Sequence, residues 1–123
     1  MKYLILIYGN PQSRAIFQNL TDEQRAVGFA AYAELRNDLI KAGEYIVSEA
    51  LADPSLAKHI WVREGETMVT DGPFAEVKEQ LAGFFLIECD SIETAIERAS
   101  RVPEANMGLV EVRPIMVYRE LEM

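Results

Sequence analysis

The sequence predicts an α+β fold, one domain in which two helices lie on one face of an antiparallel sheet. Residues 2–8 and 84–89 are apolar on both alternating sides, as strands covered on both faces are. Two stretches, following Thr21 and Ser91, carry apolar residues at helical spacing, and a hairpin pattern centred on Gly65 lies between them. In order the segments read strand, helix, strand, hairpin, strand, helix, strand. With the hairpin taken as an insertion, this is the β-α-β-β-α-β arrangement of a ferredoxin-like plait.

The first strand, residues 2–8, sets Tyr3, Ile5 and Ile7 on one side and Leu4, Leu6 and Tyr8 on the other, which places it centrally in the sheet. Residues 9–20 are polar, begin with Gly9-Asn10-Pro11, and read as a loop with a short helical turn around 14–17. Thr21-Asp22-Glu23-Gln24 matches a capping box, with Gln24 reaching back to the Thr21 backbone N–H. The helix that follows has Ala26, Phe29, Ala33 and Ile40 on its core stripe, widened by Tyr32, Leu35 and Leu39, and Gly43 ends it. Residues 45–51 make a second strand, broken by Ala52-Asp53-Pro54-Ser55. Residues 58–63 and 67–70 pair across Glu64-Gly65-Glu66 as a hairpin. Residues 75–80 read as an exposed segment, either a short helix or extended, and 84–89 as a buried strand. Asp90 or Ser91 caps a helix with Ile92, Ala95, Ile96, Ala99 and Val102 on one face, and Pro103 stops it. Residues 109–117 form the last strand, with Val110, Val112 and Met116 on one face and Glu111, Arg113 and Ile115 on the other.

At 123 residues, half of them hydrophobic, the chain is an ordinary globular domain spanning 1–123. Its net charge of −8 works against a grip on phosphate backbones or anionic lipids, so neither nucleic acid nor membrane is an expected partner. Cys89 is the single cysteine, which excludes an internal disulfide and a thiolate metal cluster and fits a reducing cytoplasm. The apolar N-terminal run meets Gly9-Asn10-Pro11 too soon for a signal sequence or a membrane span. His59 is the single histidine and has no carboxylate at ligand spacing, and no Gly-rich phosphate loop or Gly-x-Ser-x-Gly elbow occurs. No metal and no cofactor is therefore expected. Cys89 lies in an apolar strand, where thiols are usually inert.

If both helices cover one face of the sheet, no segment remains for the other. The double-sided strands still need cover there, so the expected assembly is a homodimer whose two sheets face each other. Glu111 and Arg113 would then lie in the shared interior, where an unpaired charge costs several kcal/mol. Two readings follow for them: a Glu–Arg pair within the interface, or an Arg113 guanidinium presented to a ligand carboxylate. Tyr8 and Tyr32 belong with the core aromatics but have hydroxyls able to reach a pocket.

The stretch Thr70-Asp71-Gly72-Pro73-Phe74-Ala75-Glu76-Val77-Lys78-Glu79 concentrates unusual backbone chemistry. Gly72 tolerates a positive φ and Pro73 withholds a donor, so a strand entering at Thr70 must turn and leave Asp71 at its end. There the carboxylate is either a turn former accepting hydrogen bonds from its own turn or a functional group. Folded back to the charged face of the last strand, Asp71 would pair with Arg113.

That stretch, together with the opening Met1-Lys2-Tyr3-Leu4 to Ile7-Tyr8 and the closing Val110-Glu111-Val112-Arg113-Pro114, resembles the DGPF branch of the YCII-related proteins. The three motifs occur in the same order and span nearly the whole chain. The resemblance implies a dimeric α+β barrel of ferredoxin-like subunits and a bacterial cytoplasmic protein, often encoded near alternative sigma factors. It also implies an acid–base pair, a histidine on the first helix with an aspartate. Counted back from Gly43, the histidine position falls at Tyr32, so Asp71 alone carries over. Tyrosine, with an ordinary pKa of about 10, is a poor base near neutrality.

The expected function is binding of a small polar metabolite in a pocket near the turn, with or without cofactor-independent turnover. Asp71 is the candidate base or orienting carboxylate, and Tyr32, Arg113, Tyr8 and Glu111 the candidate binding residues. The other reading is a ligand-sensing or protein-docking module tied to transcriptional control through an alternative sigma factor.

Overall fold

The computed structural model describes residues 1–73 and 77–117. The chain runs β1 (Lys2–Gly9), α1 (Pro11–Gln18), α2 (Asp22–Lys41), β2 (Tyr45–Ala50), β3 (Lys58–Arg63), β4 (Glu66–Asp71), β5 (Gln80–Glu88), α3 (Ile92–Ala99) and β6 (Val110–Pro114). Single 3-10 turns at Pro54–Leu56 and Pro103–Met107 punctuate it. Strands β2, β5, β1 and β6 form an antiparallel sheet in that order, while β3 and β4 pair separately as a hairpin. This mixed α+β architecture is compatible with a ferredoxin-like fold.

Strand β1 is central because both its edges find partners, β5 on one side and β6 on the other. Its Tyr3, Ile5 and Ile7 side packs with Phe85 and Ile87 of β5, Leu35 and Leu39 of α2, and Ala95 and Ala99 of α3 in one buried cluster. Alanines on α3 let that helix approach the sheet closely, and Val110 and Val112 of β6 close the cluster from the side. Both long helical stretches therefore cover the same face of the sheet. Glu44, just past α2, takes a bidentate ion pair from Arg98 of α3 at 2.9 and 3.2 Å, tying the two helices together.

Among the described residues, no helix lies on the opposite face of the sheet. Leu4 and Leu6 of β1, with Phe84 and Leu86 of β5, are half-buried there beside the register partners Glu111 and Arg113 of β6.

Three expectations need correction. Residues 9–20 are not mainly loop: Asn10 caps α1, accepting from the Ser13 N–H while the Ser13 hydroxyl accepts from the Asn10 N–H, with Pro11 at the first helical position. The helix buries no residue, so capping rather than an apolar stripe defines it. On α2 the buried residues are Leu35 and Leu39, whereas Phe29 is 60% exposed and Ile40 also faces out. The apolar residues of α2 wrap far enough around the helix that spacing admits two neighbouring stripes. The last strand stops at Pro114, short of 117, because its partner β1 begins at Lys2, whose carbonyl takes the final bond from the Ile115 N–H at 2.9 Å. Of the segment 75–80, residues 75 and 76 lie outside the described residues.

Candidate functional site

Helix α2 and the sheet do not meet along their whole length. Between them lies a cavity of about 430 Å³, walled by Ile7, Gly83 and Phe85 of the sheet, Phe29, Tyr32 and Arg36 of α2, and Phe17 of α1. Gly83 keeps β5 close to β2 at this point, since a Cβ there would lie 2.8 Å from the Glu49 carbonyl oxygen. Phe17 and Phe29 meet edge to face with ring centroids 6.4 Å apart.

One polar end of the cavity is built by Tyr32 and Glu104, and Arg36, Ser48 and Glu49 also line it. Tyr32 projects from α2 and its hydroxyl donates to Glu104 Oε1, a residue of the 3-10 turn that Pro103 starts. Burial, then the hydrogen bond to Glu104 and its negative charge, push the Tyr32 phenol well above its usual range. The phenol therefore stays protonated at neutral pH and acts as a donor, not a base. Arg36, one turn further along α2, is drawn to the rim: its Nε donates to Tyr45 Oη at 3.3 Å and its guanidinium lies 5.3 Å from the Tyr45 ring centroid. Tyr45 Oη in turn shares a 2.7 Å hydrogen bond with Ser48 Oγ, another cavity residue.

The other expected site residues fall elsewhere. Asp71 ends β4 opposite Lys58, with which it forms an ion pair, and its side chain is 83% exposed. It lines none of the cavity around Tyr32. Gly72 follows with φ 86° and its N–H donates to the Ala57 carbonyl at 2.8 Å, so the turn forms where Gly-Pro requires. A hollow of about 460 Å³ beside that turn is lined by Pro73, Leu51, Leu56, His59 and Leu81, among others. Phe74, Ala75 and Glu76 lie outside the described residues.

Tyr8, Glu111 and Arg113 form a third group, on the open face of the sheet. Tyr8 Oη donates to Glu111 Oε1 at 2.9 Å and Arg113 Nη2 donates to Glu111 Oε2 at 2.8 Å. The Arg113 hydrogen bond, followed by that from Tyr8, holds the Glu111 carboxyl below its usual range. Arg113 thus pairs with Glu111, not with Asp71. Among the described residues, no group of three or more His, Cys, Asp or Glu side chains is placed to hold a metal ion, and no helix is long and apolar enough to cross a membrane.

The model of the YCII-related domain matches residues 1–119. The chain belongs to the YCII-related family. A relative, an uncharacterized protein of Rhizobium meliloti (strain 1021), is 34% identical over 125 residues, covering 100% of this chain and 98% of that protein. At the helix position where the resemblance implies a histidine, this family member has the Tyr32 phenol bonded to Glu104. Glu104 was invisible to motif reading: it stands in a loop among 20 acidic residues, and only the packing of that loop against α2 distinguishes it.

Proposed function

We propose that this YCII-related protein binds a small molecule with an apolar body in the cavity between α2 and the sheet, its polar head meeting Tyr32 and Glu104. The observation that carries the reading is the Tyr32–Glu104 hydrogen bond at one end of an otherwise largely apolar cavity, on rigid helix and sheet walls. The hollow beside the Asp-Gly-Pro turn is the weaker candidate, since its lining comes mostly from loops. Tyr32 and Glu104 orient the ligand's head group, and Asp71 serves the turn and the hairpin.

The residues at 69–76, 1–8 and 110–114 favour the DGPF branch of the family. The half-buried Leu4, Leu6, Phe84 and Leu86 favour a homodimer joined through the open sheet face, with Tyr8, Glu111 and Arg113 inside the joint as a satisfied polar cluster. Sedimentation as a well-folded monomer at micromolar concentration would remove the dimer from the proposal.

The test of the binding reading is a fragment screen followed by heteronuclear NMR. Hits that shift Ile7, Tyr32 and Phe85 resonances, and lose affinity on Tyr32→Phe, support it; hits confined to the hollow at Pro73 would move the site there. The hairpin favours a second reading, a docking element for another protein, because Ile60, Val62 and Val69 form an aliphatic row that stands exposed on one of its faces.

A further inference from the structure

Resting on that binding reading, we infer that the cavity selects an organic cation: an ammonium group held at Glu104 on an apolar body of about one or two rings.

The first ground is hydrogen-bond bookkeeping at the polar end. The Tyr32 hydroxyl has one proton and it is committed to Glu104 Oε1. What remains for an incoming group is the Tyr32 oxygen and Glu104 Oε2, both acceptors. A ligand that fits must therefore bring donors. The half-buried Glu104 also has no Lys or Arg within ion-pair distance among the described residues. A carboxylate or phosphate ligand would be set against it; an ammonium would neutralise it.

The second ground is the wall. Phe17, Phe29, Tyr32 and Phe85 surround the space, and aromatic faces attract cations without demanding a hydrogen-bond geometry. Their use for this purpose is already visible at the edge of the site, where the Arg25 guanidinium lies 5.0 Å from the Phe17 ring centroid. The third ground concerns Arg36, the cavity residue that argues for an anion. Its Nε donates to Tyr45 Oη and its guanidinium lies 5.3 Å from the Tyr45 ring centroid, so the protein already engages part of its charge. At longer range the net charge of −8 favours approach of cations over anions.

Three ligands of nearly equal size decide the matter: phenethylamine, 2-phenylethanol and 3-phenylpropionate, titrated calorimetrically and by NMR into the wild-type chain, Glu104→Gln and Tyr32→Phe. The amine is expected to bind most tightly and to lose at least about tenfold on Glu104→Gln, the scale of one charge-assisted hydrogen bond. The alcohol should hardly respond to that change. Equal or tighter binding of the acid overturns the inference and leaves the binding reading intact, as does amine affinity unmoved by Glu104→Gln. Silence from all three ligands and from a fragment library, with no shift at Ile7 or Phe85, overturns both. If Glu104→Gln does not fold, the preference of the wild-type chain for amine over acid decides alone.

Discussion

Ile5 on β1 and Ile60 on β3 are the same residue in the middle of antiparallel strands, yet one is fully buried and the other is 70% exposed. The four-stranded sheet has helices on one face and apolar side chains still half-covered on the other. The two strands of the hairpin are exposed along nearly their whole length, although Ile60, Trp61, Val62, Met68 and Val69 give it apolar residues on both faces. Two strands alone are marginally stable in water. Strand-forming sequence is thus enough to pair β3 with β4, but burial depends on what the rest of the fold brings to the pair.

The contrast can be broken by mutation. Ile5→Ala is expected to cost about 2–5 kcal/mol and Ile60→Ala less than about 0.5 kcal/mol, read from denaturant midpoints. Comparable losses would mean that the hairpin is covered in solution, with a second copy the first suspect. Gly83→Ala comes next, at about 1–3 kcal/mol, because the added methyl group meets the β2 backbone; faster amide exchange along β2, with β3 and β4 unaffected, would place the strain in the sheet alone.

Tyr32→Phe leaves Glu104 without its donor and should cost about 1–3 kcal/mol at neutral pH. Its pH signature is sharper. The folded phenol titrates above the unfolded value of about 10, so the folded chain keeps a proton that the unfolded chain gives up. Stability from this group is complete below pH 10 and falls as pH rises beyond it. The Phe variant should show a shallower alkaline decline in the melting temperature, and identical slopes would contradict the buried pair. Smallest of all is Asp71→Asn, within about 0.5 kcal/mol, since an exposed ion pair contributes little. A loss as large as that of Gly83→Ala would make Asp71 part of the cooperative core and join the two regions that the other variants separate.

Much of this architecture can be read along the chain. The two-sided apolar runs locate β1 and β5, Thr21-Asp22-Glu23-Gln24 and Ser91 fix the starts of α2 and α3, and Gly72-Pro73 fixes the turn after Asp71. Helix α1 escapes such reading because it has no buried face and Ser13, rather than Glu or Gln, completes its capping box. On α2 the sheet, not the spacing, chose Leu35 and Leu39 over Phe29 and Ile40, leaving Phe29 free to wall a cavity. Of the pair at the polar end of the cavity, the resemblance draws attention to Tyr32, while Glu104 reaches it from a turn 72 residues away. Contact across that distance has no local spacing to betray it.

The register of β1 bears on how the chain is made. Tyr3 pairs with Pro114 and Ile7 with Val110, while the other edge of the strand joins β5. A ribosome therefore delivers the central strand first and its last neighbour only after nearly the whole domain has been translated. Until Pro114 is available for pairing, Leu4, Ile5 and Leu6 have no finished sheet to enter, so the β1–β6 edge closes through a contact between distant parts of the chain, the kind that forms slowly.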